Sequence, residues 1–210
     1  MVLGVFAAIV WSDPDAYWPL DLDQPPGLFT QWRIRLLADE PLACQRTLAR
    51  ADIAASLAPE RPQRNGCGYD DAVVLSGGAL AETPAMRCAT AAAYALWLRH
   101  VVQPAAERRL GARVARVRTF GAFSCRDIAG RPGRRSQHAT ANAIDVSGFE
   151  LADGRTVTLS RDWNKGEPGR FLREVRDGAC GLFAGVLSPD WNAAHADHFH
   201  LDLGRAQICR

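Results

Sequence analysis

The densest group of chemically capable side chains lies near the end of the chain, in the stretch His195-Ala-Asp-His198-Phe-His200-Leu-Asp202-Leu. It holds three of the five histidines of the protein within six residues. From His198 onwards polar and apolar residues alternate, which is typical of a half-buried β-strand, because successive side chains point to opposite faces. His198 and His200 are therefore predicted to share one face of a strand.

A second polar segment, Ser136-Gln-His138-Ala-Thr-Ala-Asn-Ala-Ile-Asp145-Val, contains a fourth histidine. Its residues 143–146 also indicate a strand, in which Asp145 is the only polar member. Two histidines and one carboxylate from two segments form the three-ligand zinc set that is typical of catalytic sites, since it leaves one position open for water. The alternative is a pair of exposed strand histidines, but the gathering of four histidines into two short, apolar-framed segments favours a metal site.

Together the two motifs resemble those of the LAS metallopeptidases, Ser-x-His-x6-Asp followed by His-x-x-His-x-His. That group includes D-Ala-D-Ala peptidases, the penicillin-insensitive murein endopeptidase and lysostaphin-type enzymes, with hedgehog proteins as relatives. In more detail the chain resembles the bacterial extensin-like C-terminal domain family from about residue 20 to its end. The stretches that look like blocks of that family are residues 67–69, 124–126, 136–145 and 195–202.

The resemblance implies a zinc ion held by His138, Asp145 and His200. Zinc bound in this way lowers the pKa of a water molecule to about 7 and polarises a carbonyl group. Neither motif contains a glutamate that could act as the base. The pattern of the endopeptidase therefore implies His198 as the catalytic base, with His195 assisting it or stabilising the oxyanion.

Four further polar residues border these motifs. Arg126 stands at a position resembling the arginine with which LAS peptidases bind substrate, and a guanidinium can grip a carboxylate with two hydrogen bonds. The resemblance therefore implies that Arg126 serves substrate binding and catalysis, although most arginines are simply solvated. Ser136 is predicted either to bind substrate or to be a local turn residue. Asp202 either orients a ligand histidine or is exposed, and Asp197 is predicted on the opposite face in a structural role.

One position departs from the peptidase pattern. Three residues after the first histidine the family has glycine, and this chain has Ala141. Alanine fits where glycine only allows a close approach, but it is strained where the backbone φ must be positive. The local backbone therefore decides whether the substitution is neutral.

The six cysteines indicate the redox environment. None belongs to a Cys-x-x-Cys pair, which argues against a zinc knuckle. An even number spread along the chain is typical of disulfide bonding in an oxidising compartment, and the alternative is six reduced cysteines in a cytosolic protein. Six cysteines allow 15 pairings, among which the sequence does not choose. They are Cys44, Cys67, Cys88, Cys125, Cys180 and Cys209.

The order of the elements predicts an α+β fold with a small antiparallel sheet flanked by helices, and the LAS resemblance implies the same architecture. Thr83-Pro84 is predicted to begin the longest helix, and Pro104 to kink or end it. Asp153-Gly154 is a strong signal for a two-residue hairpin turn. Gly178 is predicted to stop a helix over residues 167–177.

With 210 residues and a net charge of +2, the chain is long enough for one domain with a substantial core. Residues 1–19 are interpreted as the remnant of a signal or membrane anchor with a linker, residues 20–66 as a helical extension packed on the core, and residues 67–210 as the extensin-like, LAS-type metallopeptidase domain. The uncharged residues 2–11 are too few to span a bilayer, which needs about 20, and a short strand or a tail is the alternative.

These observations lead to a functional hypothesis. We expect a zinc-dependent peptidase of the D,D-carboxypeptidase or endopeptidase type that acts on peptidoglycan stem peptides or cross-links. The alternatives are a non-catalytic, zinc-containing domain that binds the cell wall, and a disulfide-rich structural domain without metal. We expect a monomer in the periplasm or cell envelope, anchored to the inner membrane if the N-terminal interpretation holds. The low net charge argues against a nucleic-acid partner.

Overall fold

The computed structural model describes residues 19–80 and 83–210. Within them lie six α-helices, one π-helical turn at Leu98–Val102 and three short 3-10 turns at Gly78–Leu80, Gln137–Thr140 and Ala193–His195. The helices are α1 (Thr30–Leu37), α2 (Pro41–Arg50), α3 (Cys88–Trp97), α4 (Gln103–Leu110), α5 (Leu159–Asp162) and α6 (Gly166–Ala179).

The same residues form thirteen strands, several of them very short. In chain order they are β1 (Ala54–Leu57), β2 (Arg61–Arg64), β3 (Cys67–Tyr69), β4 (Ala72–Ser76), β5 (Met86–Arg87), β6 (Val114–Gly121), β7 (Asp127–Ile128), β8 (Arg131–Arg135), β9 (Ala143–Leu151), β10 (Thr156–Thr158), β11 (Gly185–Leu187), β12 (Phe199–Asp202) and β13 (Ile208–Cys209). The predicted α+β fold class is confirmed, with helices and mainly antiparallel sheets in one chain.

The main sheet is built around β9, its longest strand. One edge of β9 pairs with β6, while the other edge pairs first with β12 and then with β10. Beyond β12 the sheet continues through β11 to β13, and only this last pair is parallel. The β9–β10 hairpin forms as predicted, but its loop has three residues where two were expected. The Leu151 N–H donates to the Arg155 carbonyl, the Gly154 N–H donates to the Leu151 carbonyl, and Gly154 takes the positive φ of 86° while Asp153 does not.

The helices cover this sheet by packing around α3, which is buried along its whole length. Its run of alanines lets α1, α2 and α6 approach closely. At its end the Trp97 ring lies 6.0 Å from Phe149 of β9, and Phe149 in turn makes an edge contact with Phe171 of α6. The Trp97 indole N–H donates to the Val175 carbonyl at 2.8 Å, so the buried polar atom is satisfied.

Two details of the predicted helices were wrong. The long helix begins at Cys88 because Thr83 uses its hydroxyl to bond the backbone of Leu75, and the intervening residues pair as β5. Pro104 does not end it: helical backbone continues through the π-helical turn into α4, and this turn accommodates a residue that lacks an N–H.

Gly178 likewise does not stop its helix, because α6 continues to Ala179. A Cβ atom at this position would collide with the side chain of Val101 in the π-helical turn. The glycine therefore serves close helix packing, and the helix ends one residue later.

All six cysteines are disulfide-bonded, which confirms that prediction, in the pairs Cys44–Cys88, Cys67–Cys125 and Cys180–Cys209. The first ties α2 to the start of α3. The second ties β3 to the loop after β6, and the third fixes β13 beside the end of α6. Each bond therefore joins segments that are distant in sequence, which restricts the unfolded chain more than the folded one.

The predicted division of the chain into three segments can be compared with the structure only in part. The interpretation of residues 1–19 falls almost wholly outside the described residues. The boundary proposed between residues 66 and 67 lies in the turn of the β2–β3 hairpin, and the main core contains residues from both sides of it. Within residues 19–80 and 83–210 we find no helix both long and apolar enough to cross a membrane.

Candidate metal centre

Asp145 and His200 face each other across the ladder between β9 and β12, where they form a directly paired position. Paired residues of antiparallel strands carry their side chains on the same face, and His200 Nδ1 lies 3.0 Å from Asp145 Oδ1. Phe199 and Leu201, which alternate with His200, are fully buried in the core. The alternation seen in the sequence therefore places the carboxylate and the imidazole side by side, on the face away from these core residues.

His138 reaches the same place from the 3-10 turn that precedes β9. Ser136 caps this turn, because its Oγ accepts the backbone N–H of His138 at 3.3 Å. The loop between β6 and β7 holds the histidine from the other side. There the Ser124 N–H donates to the His138 carbonyl at 3.0 Å, and the Ala122 carbonyl oxygen lies 3.1 Å from ring Nδ1. Backbone and ring of His138 are thus both fixed.

Three atoms converge between these elements: His138 Nε2, Asp145 Oδ1 and His200 Nδ1, each 3.0 Å from the other two. Zinc with bonds of about 2.0–2.1 Å in tetrahedral geometry separates its ligand atoms by about 3.3 Å. The three atoms, which we call the ligand triangle, therefore have the size of one face of a tetrahedral zinc site. The residues are the ones that the sequence motifs indicate.

Hydrogen bonds on the outer side of both rings determine what faces inward. His138 Nδ1 must carry the proton that it donates to the Ala122 carbonyl, and His200 Nε2 must carry the one that it donates to Asp202 Oδ2 at 3.0 Å. In a neutral imidazole the other nitrogen then holds a lone pair. Two lone pairs and one carboxylate oxygen therefore point at a single place, with ring orientations fixed as in known metal sites.

The charges of the ligand triangle are strongly coupled. Burial disfavours the charged form of His200, but hydrogen bonds to the carboxylates of Asp145 and Asp202 outweigh it and raise the pKa of His200 to about 9. Burial also acts to raise the pKa of Asp145, yet hydrogen bonds from His138 and His200 hold that pKa well below its usual range. In the metal-free protein at neutral pH, a proton on His200 therefore takes the place of a cation, and metal binding must release it.

Asp202 occupies a slot that only glycine neighbours allow. Its Oδ1 accepts the N–H of Gly204 at 2.6 Å while Oδ2 holds His200. A Cβ atom on Gly185 would collide with this carboxylate, and one on Gly204 would come within 2.8 Å of it. The slot therefore fixes both oxygens of Asp202, and through them the ring of His200.

His198 lies one residue before β12 and its ring forms the rim of the site. Its Nε2 is 3.7 Å from Asp145 Oδ1, whereas its Nδ1 is 2.9 Å from Asp197 Oδ1. Because the Asp197 carboxylate accepts a hydrogen bond from the N–H at Nδ1, the lone pair of Nε2 is left facing the ligand triangle. Asp197 does not lie on the opposite face of the strand, as alternation predicted, because the strand begins only at Phe199 and Asp197 belongs to the preceding turn.

His195 closes the site from the 3-10 turn at Ala193–His195. Its ring centroid lies 5.2 Å from that of His198 and 6.0 Å from that of His200. Burial, then the nearby rings of His198 and His200, and to a smaller extent Arg126, lower the pKa of His195 to about 4. The ring is therefore neutral at pH 7. Its Nδ1 lies 2.8 Å from Asn192 Oδ1, which also accepts a backbone N–H.

The end of β6 and the loop after it contribute one side chain each, Phe120 and Arg126, to the surroundings of the site. Arg126 is exposed, and its side chain makes no hydrogen bond or ion pair with any residue in the described ranges 19–80 and 83–210. Its backbone carbonyl accepts the N–H of Ser136, which places it beside the turn of His138. The ring of Phe120 is 60% exposed and lies 5.6 Å from the ring of His198. A charged group and an apolar ring thus border the ligand triangle.

A model of the family described as "Extensin-like protein C-terminus" matches residues 42–210. The chain belongs to this family. No curated protein and no solved structure matches the extensin-like chain.

All the predicted site residues of this extensin-like chain lie within the matched region. The structure brings His138, Asp145 and His200 together, and it places His198, His195 and Arg126 around them. Ser136 is also close, but it is 8% exposed and its Oγ caps the turn. That geometry supports the turn role of Ser136, and its substrate contact stays a prediction.

The sequence alone did not reveal the residues that support the extensin-like site through their backbone or through lack of a side chain. The Ala122 contact is made by the backbone carbonyl, which every residue type has, so the amino-acid sequence does not indicate it. Gly185 becomes necessary only once β11 and β12 pair, whereas Gly204, which follows the histidine motif directly, was visible as a turn residue. The one chemical signal was Phe120, an aromatic residue four positions before the family block at residues 124–126.

Proposed function

We propose that this extensin-like domain is a zinc-dependent amide hydrolase, a peptidase that acts on peptidoglycan stem peptides or cross-links. The observation that carries the proposal is the convergence of three metal-binding atoms from His138, Asp145 and His200, with both rings fixed from outside. The resemblance to LAS peptidase motifs supports the same three residues. When bound there, zinc supplies a Lewis acid that polarises a carbonyl and activates water.

His198 is the base in this proposal. A general base must stand within reach of the proton that it accepts and must present a lone pair. Nε2 of His198 meets both requirements, because it lies 3.7 Å from Asp145 Oδ1 and its other nitrogen donates to Asp197. Asp197 orients the ring and stabilises the positive charge that His198 acquires when it takes the proton.

His195 acts beside it as a second proton acceptor. The bond from Nδ1 to Asn192 leaves Nε2 of the neutral ring with a lone pair. A ring in that state accepts a hydrogen bond and has no proton to give an oxyanion. Of the two roles that the motif allows for His195, the geometry therefore supports assistance to His198.

Arg126 and Phe120 bind the substrate. The guanidinium of Arg126, free of partners among the described residues, is available to grip a carboxylate, such as those that stem peptides carry. Phe120 offers an apolar surface next to the base. Together they suit a peptide with a carboxylate on one side of the scissile bond.

The periplasm is the proposed compartment. Three disulfide bonds support an oxidising environment, because cytosolic thiols are kept reduced. Peptidoglycan is the polymer of that compartment with amide bonds of the proposed kind. The anchoring of the chain to the inner membrane stays a prediction.

The test is digestion of purified sacculi by the zinc-loaded protein, with mass spectrometry of the released peptides. We expect new peptide termini from the wild type and from His100→Ala, a matched control whose ring bonds the Leu22 carbonyl away from the site. His198→Ala should release them about 10²–10⁴-fold more slowly. If the wild type binds zinc and sacculi but releases no peptide, the non-catalytic wall-binding alternative replaces the proposal.

A further inference from the structure

Two hairpins near the site are held against each other, and each has one strand that is exposed throughout, β2 and β8. The β2–β3 hairpin and the β7–β8 hairpin are joined through the disulfide Cys67–Cys125. They also touch directly, since Arg135 Nε donates to the Asn65 carbonyl at 2.8 Å. Their relative position is therefore held by a covalent bond and by a hydrogen bond.

The two hairpins concentrate positive charge. Residues 60–70 and 126–135 contain six arginines and three acidic residues, a net charge of +3, whereas the whole chain carries only +2. The remainder of the molecule is therefore slightly acidic. Whole-molecule charge, which argues against a polyanionic partner, conceals this local excess.

Some of these arginines have structural partners. Arg61 donates to the Tyr69 hydroxyl at 3.2 Å and lies over the Phe123 ring. Arg135 pairs with Asp127 at 2.8 Å. The other oxygen of Asp127 accepts the N–H of Gly133, so this acid is committed to the hairpin and does not neutralise further arginines.

Apart from Arg126, which borders the ligand triangle, three arginines remain: Arg64, Arg131 and Arg134. We call them the arginine ledge. Each is exposed, and none of the three side chains has a hydrogen-bond or ion-pair partner among residues 19–80 and 83–210. Arg64 and Arg134 are sequence neighbours of the Asn65–Arg135 contact. Arg131 lies farther along β8, roughly 10 Å from Arg134 at the rise of an extended strand. The ledge thus extends outward from the turn that carries His138.

We infer that the arginine ledge binds a peptide strand bearing repeated carboxylates, the part of the substrate that continues beyond the scissile bond. The inference rests on the proposed function. Guanidinium groups bind carboxylates through two parallel hydrogen bonds. The disulfide and the paired strands fix the backbone that carries the three side chains before binding, so that only side-chain freedom is lost on association.

The probe is a short, fluorescently labelled poly-L-glutamate peptide, titrated against the metal-free full chain at low ionic strength. The test variant is R64Q/R131Q/R134Q. The matched control is R35Q/R205Q/R210Q, which changes the net charge equally at exposed arginines outside both hairpins. We expect the ledge variant to lose roughly tenfold or more in affinity, since three charge-assisted bonds are removed, and the control less than about threefold.

Equal losses in the two variants would assign binding to net charge and overturn the inference, as would an unchanged affinity of the ledge variant. Polyphosphate that binds the ledge as tightly per charge as polyglutamate would contradict a carboxylate-bearing peptide as its ligand. Zinc content serves as the check of folding for both variants. Because the protein is metal-free in the titration, failure of the ledge and failure of peptidase activity are distinguishable.

Discussion

His200 Nδ1 lies 3.0 Å from Asp145 Oδ1 because the two residues form a directly paired position of β9 and β12. A slip of one residue in that ladder would turn one of the two side chains to the other face of the sheet. Strand register thus builds two corners of the ligand triangle, and only the third, His138, depends on a turn. The positions of Asp145 and His200 are therefore kept as long as β9 and β12 stay paired in the central sheet.

His198, just before β12, and His200, within it, should have different functions. His200→Ala removes one of three ligands and should weaken zinc binding strongly. His198→Ala should retain zinc and lower the rate of peptide cleavage by about 10²–10⁴-fold, the usual effect of losing a general base. Zinc titration and cleavage assays on both variants, with His100→Ala as the control, measure this. Loss of zinc from His198→Ala with retention in His200→Ala would reverse the assignment.

Asp202 should act on the metal through His200. The hydrogen bond to the Asp202 carboxylate orients the His200 ring and raises the basicity of the ring. Asp202→Asn removes the negative charge and therefore weakens both effects. We expect a zinc affinity about 10–100-fold lower, the typical effect of changing such an outer partner. Asp197→Asn, which alters the partner of His198 instead, should leave zinc affinity unchanged and reduce the rate. Equal zinc affinity in Asp202→Asn and wild type would show that the carboxylate is not needed to position the ligand.

Ala141 has a φ of 53°, so alanine here occupies a left-handed conformation that favours glycine. Ala139, two residues earlier, is equally buried but lies inside the 3-10 turn. Both changes to glycine remove a buried methyl group, whereas only Ala141→Gly relieves strain of about 1–2 kcal/mol. We therefore expect Ala141→Gly to be at least about 1 kcal/mol less destabilising than Ala139→Gly in urea unfolding with disulfides intact. The reverse order would show that the methyl group of Ala141 outweighs the strain.

The stability of the metal-free protein should fall as the pH rises through the slightly alkaline range. The pKa of His200 is about 9 in the folded chain and about 6.5 when unfolded. Because folding raises this pKa, protonated His200 contributes its full stabilisation of the folded chain below pH 6.5. That contribution to the free energy of unfolding, on the order of 3 kcal/mol, disappears as the pH passes 9. Zinc must displace the same proton, so its stabilising effect should grow over this interval. Thermal unfolding with and without zinc measures both trends, and His200→Ala should abolish the decline in the metal-free protein.

Sequence patterns predicted the parts of the site that local chemistry determines. Alternation around His200 and the single polar residue in the strand of Asp145 placed both side chains correctly. The Asp153-Gly154 pair also identified the β9–β10 hairpin, because Gly154 supplies the positive φ of the turn, although the loop is one residue longer than predicted. The third ligand, His138, followed from its motif.

What the sequence did not predict depends on contacts between distant segments. The observed set of three disulfide bonds, which includes Cys67–Cys125, is one of 15 possible sets. The Ala122 carbonyl becomes a partner of His138 only when β6 lies against β9. Thr83 resembled a helix cap, yet its hydroxyl was needed by the backbone of Leu75. Tertiary contacts overrode local preference in each case.

The zinc content of the full chain, purified without added metal, tests the central claim most directly. Elemental analysis should find one zinc per chain in the wild type and in His100→Ala, and close to none in Asp145→Ala, because that change removes one corner of the ligand triangle. A wild-type protein that stays free of zinc even after zinc is added, or an Asp145→Ala variant that keeps a full equivalent, would contradict the account.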